Sequence, residues 1–514
     1  MHPKTPITVI RTVLCLLVSG ALFAGCSLAP RTSVPESVSE LPGDFAESLA
    51  DGPHEPVEWW HAFADPALNT VVDSVLVSNF DLAAGVARVQ QARARARMVR
   101  AAYFPAIQVS GGVNDFDSPT NAGIGAQIQE LGLGGDQSDF PIPFTLPDRL
   151  ALTTYTLSAD FAYELDFWGR VRNDALAAGA EHLASESDFH AARIGILSET
   201  ITTYFEIADL RRQTALAREM VDVLLEQEQL ALTRYDRGLA GSFYLYRVRQ
   251  ELRNAQAGLP QLESLLAGAE GRLSVLLGGY RPDMEAILPD ALTPSPAADP
   301  VPAGVPADLL LQRPDVIAAG QRLDAARYAI GARRAQLLPT FSFSGSIGLQ
   351  STEVDGLFNV DQWFRNLIGN LTAPVIQGGR LRNNVALAHA RFDEMAAAYG
   401  RTVVTAVNEV EAALAGLENA TRRHAFLRSR LEEAQASAAL KSQRYASGID
   451  SYMDYLNVLL TRLNVESALA GAERDLALAR LAVHRALGGA WTAPDSPDAP
   501  RMTSAQPVSN REDR

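Results

Sequence analysis

The chain has 514 residues, of which 20% are charged and 7% aromatic, and a formal net charge of −15. That is long enough for two to four ordinary domains. So acidic a surface excludes a general nucleic-acid binder, which would need a basic excess to track phosphates.

In chain order, the first stretch reads as a targeting signal and not as part of the fold. Lys4 and Arg11 make a positive start, Thr12 to Phe23 is apolar, and the small residues Ala24 and Gly25 precede Cys26. The apolar run is too short to cross a bilayer by itself. Residues 1–25 resemble a bacterial lipoprotein signal, with Phe23 where Leu is commoner. The resemblance implies that Cys26 becomes the lipidated start of the mature chain, and that Ser27 directs sorting to the outer membrane. The competing reading is an ordinary signal-peptidase site that leaves a free thiol. Cys15 would be discarded with the signal, so the mature chain holds one cysteine and no internal disulfide. In an oxidising periplasm an unmodified lone thiol is a liability, which favours lipidation. Two or three acyl chains, at roughly 0.8 kcal/mol per buried methylene, anchor stably.

Residues 26–58, rich in Pro, Ser, Glu and Gly, read as a lipidated tether. Trp59-Trp60 opens the folded part and is expected, with the Pro-rich connector after Tyr280, to form a belt. Asp65-Pro66 starts a helix, with the acid as cap and Pro at the first position. Leu68, Val71, Val72, Val75 and Leu76 give it one apolar face, and it is expected to run to about Tyr103 and stop at Phe104-Pro105.

After Pro105 the period changes from 3.6 to 2. Ile107, Val109, Gly111 and Val113 alternate with Gln108, Ser110, Gly112 and Asn114. Across a polar loop from about Phe116 to Arg149, the apolar series Tyr155, Leu157, Ala159, Phe161, Tyr163 and Leu165 alternates with Thr156, Ser158, Asp160 and Glu164. A Pro-free helical stretch of about 65 residues follows, from Val171 to Tyr235. Gly238 and Gly241 turn it, and a helix from about Ser242 to Leu277 returns.

The same order of elements then recurs. Shifting the sequence by 234 lays Pro105 on Pro339 and Arg88 on Arg322; shifting by 210 lays Gly169-Arg170 on Gly379-Arg380, Gly238 on Gly448 and Leu277-Gly278-Gly279 on Leu487-Gly488-Gly489. One unit of two elements is therefore written twice, and the copies differ mainly by about 24 residues in and beside the first hairpin. The first repeat spans 59–290 with a β-hairpin at 106–165, a connector fills 291–305, and the second repeat spans 306–490 with a hairpin at 340–376. In that hairpin Phe341, Phe343, Ile347 and Leu349 form one series and Leu367, Leu371 and Val375 the next. Its long helix, from Leu381 to Tyr445, carries a coiled-coil seam at Val403, Val407, Val410, Leu414 and Leu417, and the returning helix covers Tyr452 to Leu487. Residues 491–514 read as a disordered tail.

Strands of about ten residues, apolar on one side and Ser, Thr, Gln and Asn on the other, suit a tilted transmembrane barrel with a wet interior. A soluble four-stranded sheet packed on a helix is the alternative. Four strands cannot close a barrel, and an open edge in lipid leaves backbone groups unpaired at several kcal/mol each. A membrane barrel must then be shared: two chains give eight strands and a filled interior, three give twelve and room for a channel.

Tyr163-Glu-Leu-Asp166-Phe-Trp168-Gly169-Arg170, Arg313-Pro314-Asp315 and Arg444-Tyr445-x-x-Gly448, in their duplicated context, resemble the TolC-like outer-membrane factors, in the NodT-type lipoprotein branch that serves efflux pumps. The resemblance covers nearly the whole mature chain. It implies a mostly α fold with transmembrane β, in which long antiparallel coiled-coil helices form an α-barrel. Four strands per chain then contribute to one twelve-stranded outer-membrane barrel in a homotrimer. It implies outer-membrane lipid around the barrel, docking through a periplasmic adaptor (a membrane fusion protein), and a proton-driven inner-membrane transporter that supplies the energy. The adaptor-contact tips carry over to Gly238-Leu239-Ala240 and Gly448-Ile449-Asp450. Asp454 matches a position that often faces the three-fold axis at the periplasmic aperture, and Asn457 stands where a second acid is common. A solvated charge at a helix end is the plainer reading of Asp454. Arg444 and Tyr445 are expected to lock the closed tip by hydrogen bonds.

No enzyme is expected, and neither is a cofactor or a metal. His182 and His190 lie eight apart, His389 and His424 are isolated, and His-Glu-x-x-His and Walker patterns are absent. The expected function is a passive exit duct for small molecules such as drugs and toxic compounds. The rivals are the outer-membrane duct of a type I protein secretion system and, more remotely, a coiled-coil scaffold lipoprotein without a channel.

Overall fold

The computed structural model describes residues 28–30, 58–119, 149–280, 288 and 313–489. The signal, Cys26, most of the tether, the 291–305 connector, the 491–514 tail and the loop 120–148 lie outside these residues. The chain divides into two compact units, each drawing on both copies of the repeat: one comprises 1–32, 93–181 and 324–394, the other 33–92, 182–323 and 395–514. The elements in order are α1 (Pro66–Ser78), α2 (Phe80–Arg100), β1 (Ala106–Pro119), β2 (Arg149–Leu165), α3 (Arg170–Asp236), α4 (Ser242–Leu276), α5 (Pro314–Ala335), β3 (Thr340–Ser351), β4 (Trp363–Thr372), α6 (Arg380–Ala446) and α7 (Tyr452–Ala486).

The first unit is built on an antiparallel sheet in the order β1-β2-β3-β4. The register keeps one apolar face across all four strands: Val109 pairs with Ala159 and Ala159 with Ile347, while Ile107 pairs with Phe161, Phe161 with Gly345 and Gly345 with Leu367. A one-residue slip would turn every one of these side chains to the other face. On the outer strands this face is open, with exposures of 72% at Ile107, 75% at Val109 and 71% at Leu367, so these side chains have little covering them among the described residues. The opposite face is polar, and Ser110 Oγ donates to Asp160 Oδ2 at 2.7 Å there.

Three strand expectations are corrected. The loop expected from about Phe116 does not start there, because Phe116, Asp117 and Ser118 still pair with Leu152, Ala151 and Leu150 and β1 continues to Pro119. The second hairpin ends at Thr372 and not at 376: Pro374 has no N–H for a ladder, and Val375 lies beyond the strand. Alternation on β4 is also imperfect, since Arg365 shares the apolar face opposite Ile347.

The second unit is helical. Its largest core gathers Trp59, Trp60, Phe63, Leu68, Val71, Val72, Ile201, Tyr204, Phe205, Leu273, Leu288 and Leu481. Trp59 and Trp60 are core residues, with Trp59 stacked on His484 at 5.3 Å, while most of the connector expected to complete a belt with them lies outside the described residues. Asp65 explains why α1 begins where it does. Its Oδ1 accepts from the N–H groups of Ala67 and Leu68, and its Oδ2 accepts from Tyr204 Oη at 2.7 Å. Burial and that hydrogen bond push the Tyr204 phenol well above its ordinary range.

The helix expected to run unbroken to Tyr103 is two helices bent by 44° at Asn79. The Asn79 side chain holds the break from both sides: Oδ1 caps α2 at the N–H groups of Asp81 and Leu82, and Nδ2 donates to Leu276 O at 2.9 Å. Both long helices have 67 residues and both returning helices 35.

Candidate functional site

Two places concentrate polar side chains: the joint between β2 and α3, and the turns between the long and returning helices. At the joint, Arg170 donates to both carboxylate oxygens of Glu164 at 2.9 and 2.7 Å. Such a fork-to-fork pair fixes direction as well as distance. Asp166 Oδ2 accepts from the N–H of Arg172 at 2.7 Å, which caps the first turn of α3. Trp168 Nε1 donates to Pro339 O at 2.7 Å, and Phe167 packs edge-on to Phe341 at 4.9 Å. The Glu164-to-Arg170 motif therefore turns a strand into a helix and ties that turn to the start of β3. Arg313, nearly buried, does the same work at the start of α5. It donates to Asp315, to Ala486 O at the end of α7, and lies 2.8 Å from Glu409 Oε2.

The two helical turns share one backbone design. Gly238 and Gly448 have φ of +70° and +72°, a conformation that costs any other L-residue about 1 kcal/mol or more. The N–H of Leu239 donates to Arg234 O at 2.8 Å and that of Ile449 to Arg444 O at 2.9 Å, so each helix end is closed by the same bond. Leu239 and Ile449 are exposed at 67% and 63%, a pair of apolar tips.

The second turn also carries a carboxylate clamp. Asp450 accepts from Arg444 Nε at 2.6 Å and Nη2 at 3.1 Å, and from Lys441 Nζ at 3.0 Å. These hydrogen bonds, Arg444 first and then Lys441, hold the Asp450 carboxyl down at about 2. Tyr445 joins through its ring, tilted at 43° against Tyr452 with centroids 4.9 Å apart, whereas Arg444 supplies the hydrogen bonds. Tyr452 Oη donates to Glu226 Oε2 at 2.6 Å, and this bond pushes the phenol up to about 12.

Asp454 and Asn457 sit one helical step apart on the exposed face of α7. The Asp454 carboxylate closes a capping box: its Oδ2 accepts from Ser451 Oγ at 2.7 Å and from Ser451 N at 3.3 Å, while Asp454 N donates to Ser451 Oγ at 3.2 Å. It therefore stabilises the start of α7 and still faces solvent. Asn457 Oδ1 accepts from Gln227 Nε2 at 3.4 Å. Sequence reasoning placed Asp450 only at an adaptor-contact tip and missed its role between Arg444 and Lys441. The signal was present, because a tight turn at Gly448 brings opposite charges six residues apart together.

With this geometry in hand, the sequence model of the outer membrane efflux protein family matches residues 71–279 and 305–489, both copies of the repeat. The chain belongs to the outer membrane efflux protein family. Outer membrane protein OprJ of Pseudomonas aeruginosa is 30% identical, over 93% of this chain and 96% of that protein. The solvent efflux pump outer membrane protein SrpC of Pseudomonas putida is 29% identical, over 92% of this chain and 97% of its own length. The outer membrane channel CmeC of Campylobacter jejuni shares the fold, with a TM-score of 0.79, 24% identity, and coverage of 92% of this chain and 96% of that one. This efflux protein is an outer-membrane channel component located in the cell outer membrane, and its family is one of channels and not of enzymes.

Proposed function

We propose that three copies of this efflux protein close one twelve-stranded barrel in the outer membrane and serve as the passive exit duct of a tripartite pump for small molecules. A periplasmic adaptor and a proton-driven inner-membrane transporter complete the system, and Cys26 carries the lipid anchor. Residues 1–25 would be the signal, 26–58 the tether, and 59–290 and 306–490 the two repeats. The observation that carries the reading is the sheet itself. Its four strands share one apolar face, open on β1 and β4, and among the described residues β1 and β4 are left as edges, which lipid does not tolerate. Pairing β4 of one copy with β1 of the next removes every edge.

At the periplasmic end the tips Gly238-Leu239-Ala240 and Gly448-Ile449-Asp450 would meet the adaptor, with Asp454, Asn457, Tyr445 and Arg444 around the aperture. Three Asp454 carboxylates at one mouth would form a negative constriction. The Asp450 clamp favours the tightly wound tip, and adaptor contacts made only in the open state would shift that equilibrium. Small-molecule cargo is favoured by the relationship to SrpC, which is named for solvent efflux.

A deletion strain tests the cargo: raised sensitivity to solvents and drugs with an unchanged secretome supports the reading. Loss of a secreted protein with unchanged sensitivity moves the assignment to protein secretion.

A further inference from the structure

The short segment just after Cys26 points to a seat for the lipid anchor. We infer that Leu28–Pro30 docks onto Gly331, Arg334 and Asn173, so that the acyl chains on Cys26 enter the bilayer beside the base of β3. The lipid half of this rests on the proposed modification of Cys26; the docking half rests on contacts within one compact unit.

Arg334 Nη1 donates to Leu28 O at 3.2 Å, and its Nη2 meets His389 Nε2 at 3.0 Å, so the guanidinium is held between the segment and α6. Gly331 is where the segment comes closest. A Cβ there would stand 2.9 Å from Ala29 N and 2.9 Å from the Asn173 side chain, inside any real contact distance. Asn173 cannot swing away to make room. It is 2% exposed, and its Nδ2 donates to Gly169 O at 2.6 Å. Backbone against backbone is an approach only glycine permits at this position.

The repeat supplies an internal control. Under the 234 shift Arg334 corresponds to Arg100, but Gly331 corresponds to Arg97, an exposed arginine. The copy without such a segment to hold carries a full side chain where the close approach at Gly331 requires glycine.

Geometry then limits where the lipid can go. Cys26 precedes Leu28 by two residues, a reach of at most ~7 Å. The seat lies near the end of α5, just before β3 begins at Thr340, at the end of the sheet where strands join helices. A lipid on a free tether could insert anywhere within reach; a seated one inserts at one point per copy.

The test uses the full chain in isolated outer membranes and a membrane-impermeant maleimide. The native chain is expected to stay unlabelled, because its one remaining thiol is blocked by lipid. The Ala29→Cys variant should label slowly. Adding Gly331→Leu, which fills the seat, or Arg334→Ala, which removes the hydrogen bond to Leu28 O together with the contact to His389, should speed labelling several-fold. Adding Arg97→Leu should leave the rate unchanged. Should Gly331→Leu not reach the membrane, Arg334→Ala carries the comparison alone. Equal rates in all variants overturn the seat, and labelling of the native chain at Cys26 overturns the lipid half whatever the rates show.

Discussion

The turn at Gly238 and the turn at Gly448 follow the same path and are built on positions that correspond one to one. Arg234 corresponds to Arg444 and Tyr235 to Tyr445, and each helix closes on the carbonyl of its arginine. Beyond the glycine the chemistry diverges: Ala240 stands where Asp450 does, Gly241 where Ser451 does, and Tyr244 where Asp454 does. The backbone of the cap positions is nevertheless the same, with φ and ψ of −79° and 156° at Gly241 and −79° and 151° at Ser451. Duplication thus preserved the bend, and the ion clamp and the side-chain cap belong to one copy. The first turn is positioned by backbone and packing, through Ala231, Leu245 and Val248, with Arg249 donating to Glu228 across the two helices at 2.8 Å farther from the glycine. The second also carries a polar latch whose removal need not unfold the helix pair.

The largest expected effect comes from breaking that latch. Asp450→Ala, or Arg444→Ala with Lys441→Ala, should raise conductance in planar bilayers several-fold, while Arg234→Ala at the matching position leaves it near wild type. Equal effects at both turns would remove the distinction. Ala240→Asp sharpens it in the other direction: an acid placed opposite Arg234 should build a second clamp and lower conductance.

Smaller effects follow from the groups around the latch. Tyr452→Phe removes the hydrogen bond to Glu226, worth about 1 kcal/mol at this exposure, and should raise conductance less than Asp450→Ala does. Ser451→Ala removes the cap of α7 at a cost of about 1 kcal/mol, read as faster amide exchange in the first turn of that helix. The smallest change is Gly241→Ser, which needs no backbone movement and should slow exchange at the start of α4 by only a few tenths of a kcal/mol.

The pH response of the latch has a definite sign. The Asp450 carboxyl is depressed to about 2 from its ordinary 3.8, so its contribution is complete above about pH 4 and is lost as pH falls through about 2. Conductance attributable to the latch should therefore be flat between pH 5 and 8. A step in that range that disappears in Asp450→Asn would contradict the assignment.

Much of this fold is legible in the sequence because its signals are local. The glycines at 169, 238 and 278 and their partners at 379, 448 and 488 all adopt positive φ, so the repeat is written at the positions where the backbone demands it. The change of period after Pro105 and Pro339 marks the strands for the same reason. What escaped depends on contacts distant in sequence. Asn79 reads as one more polar residue on a helix until Leu276 arrives to accept from it. Glu226 gives no hint of Tyr452, and Gly331 no hint of Ala29. Asp454 shows the limit of motif reasoning: its capping-box role follows from Ser451 three residues earlier, whereas an aperture role depends on neighbouring copies.

The central claim is that one chain cannot seal its own pore. The most direct measurement is the mass of the purified protein in mild detergent, taken on the same sample that is reconstituted for single-channel recording. The account predicts a particle of three chains that conducts. A monodisperse single chain with its four strands folded, or a trimer that carries no current even with the Asp450 latch removed, would contradict it.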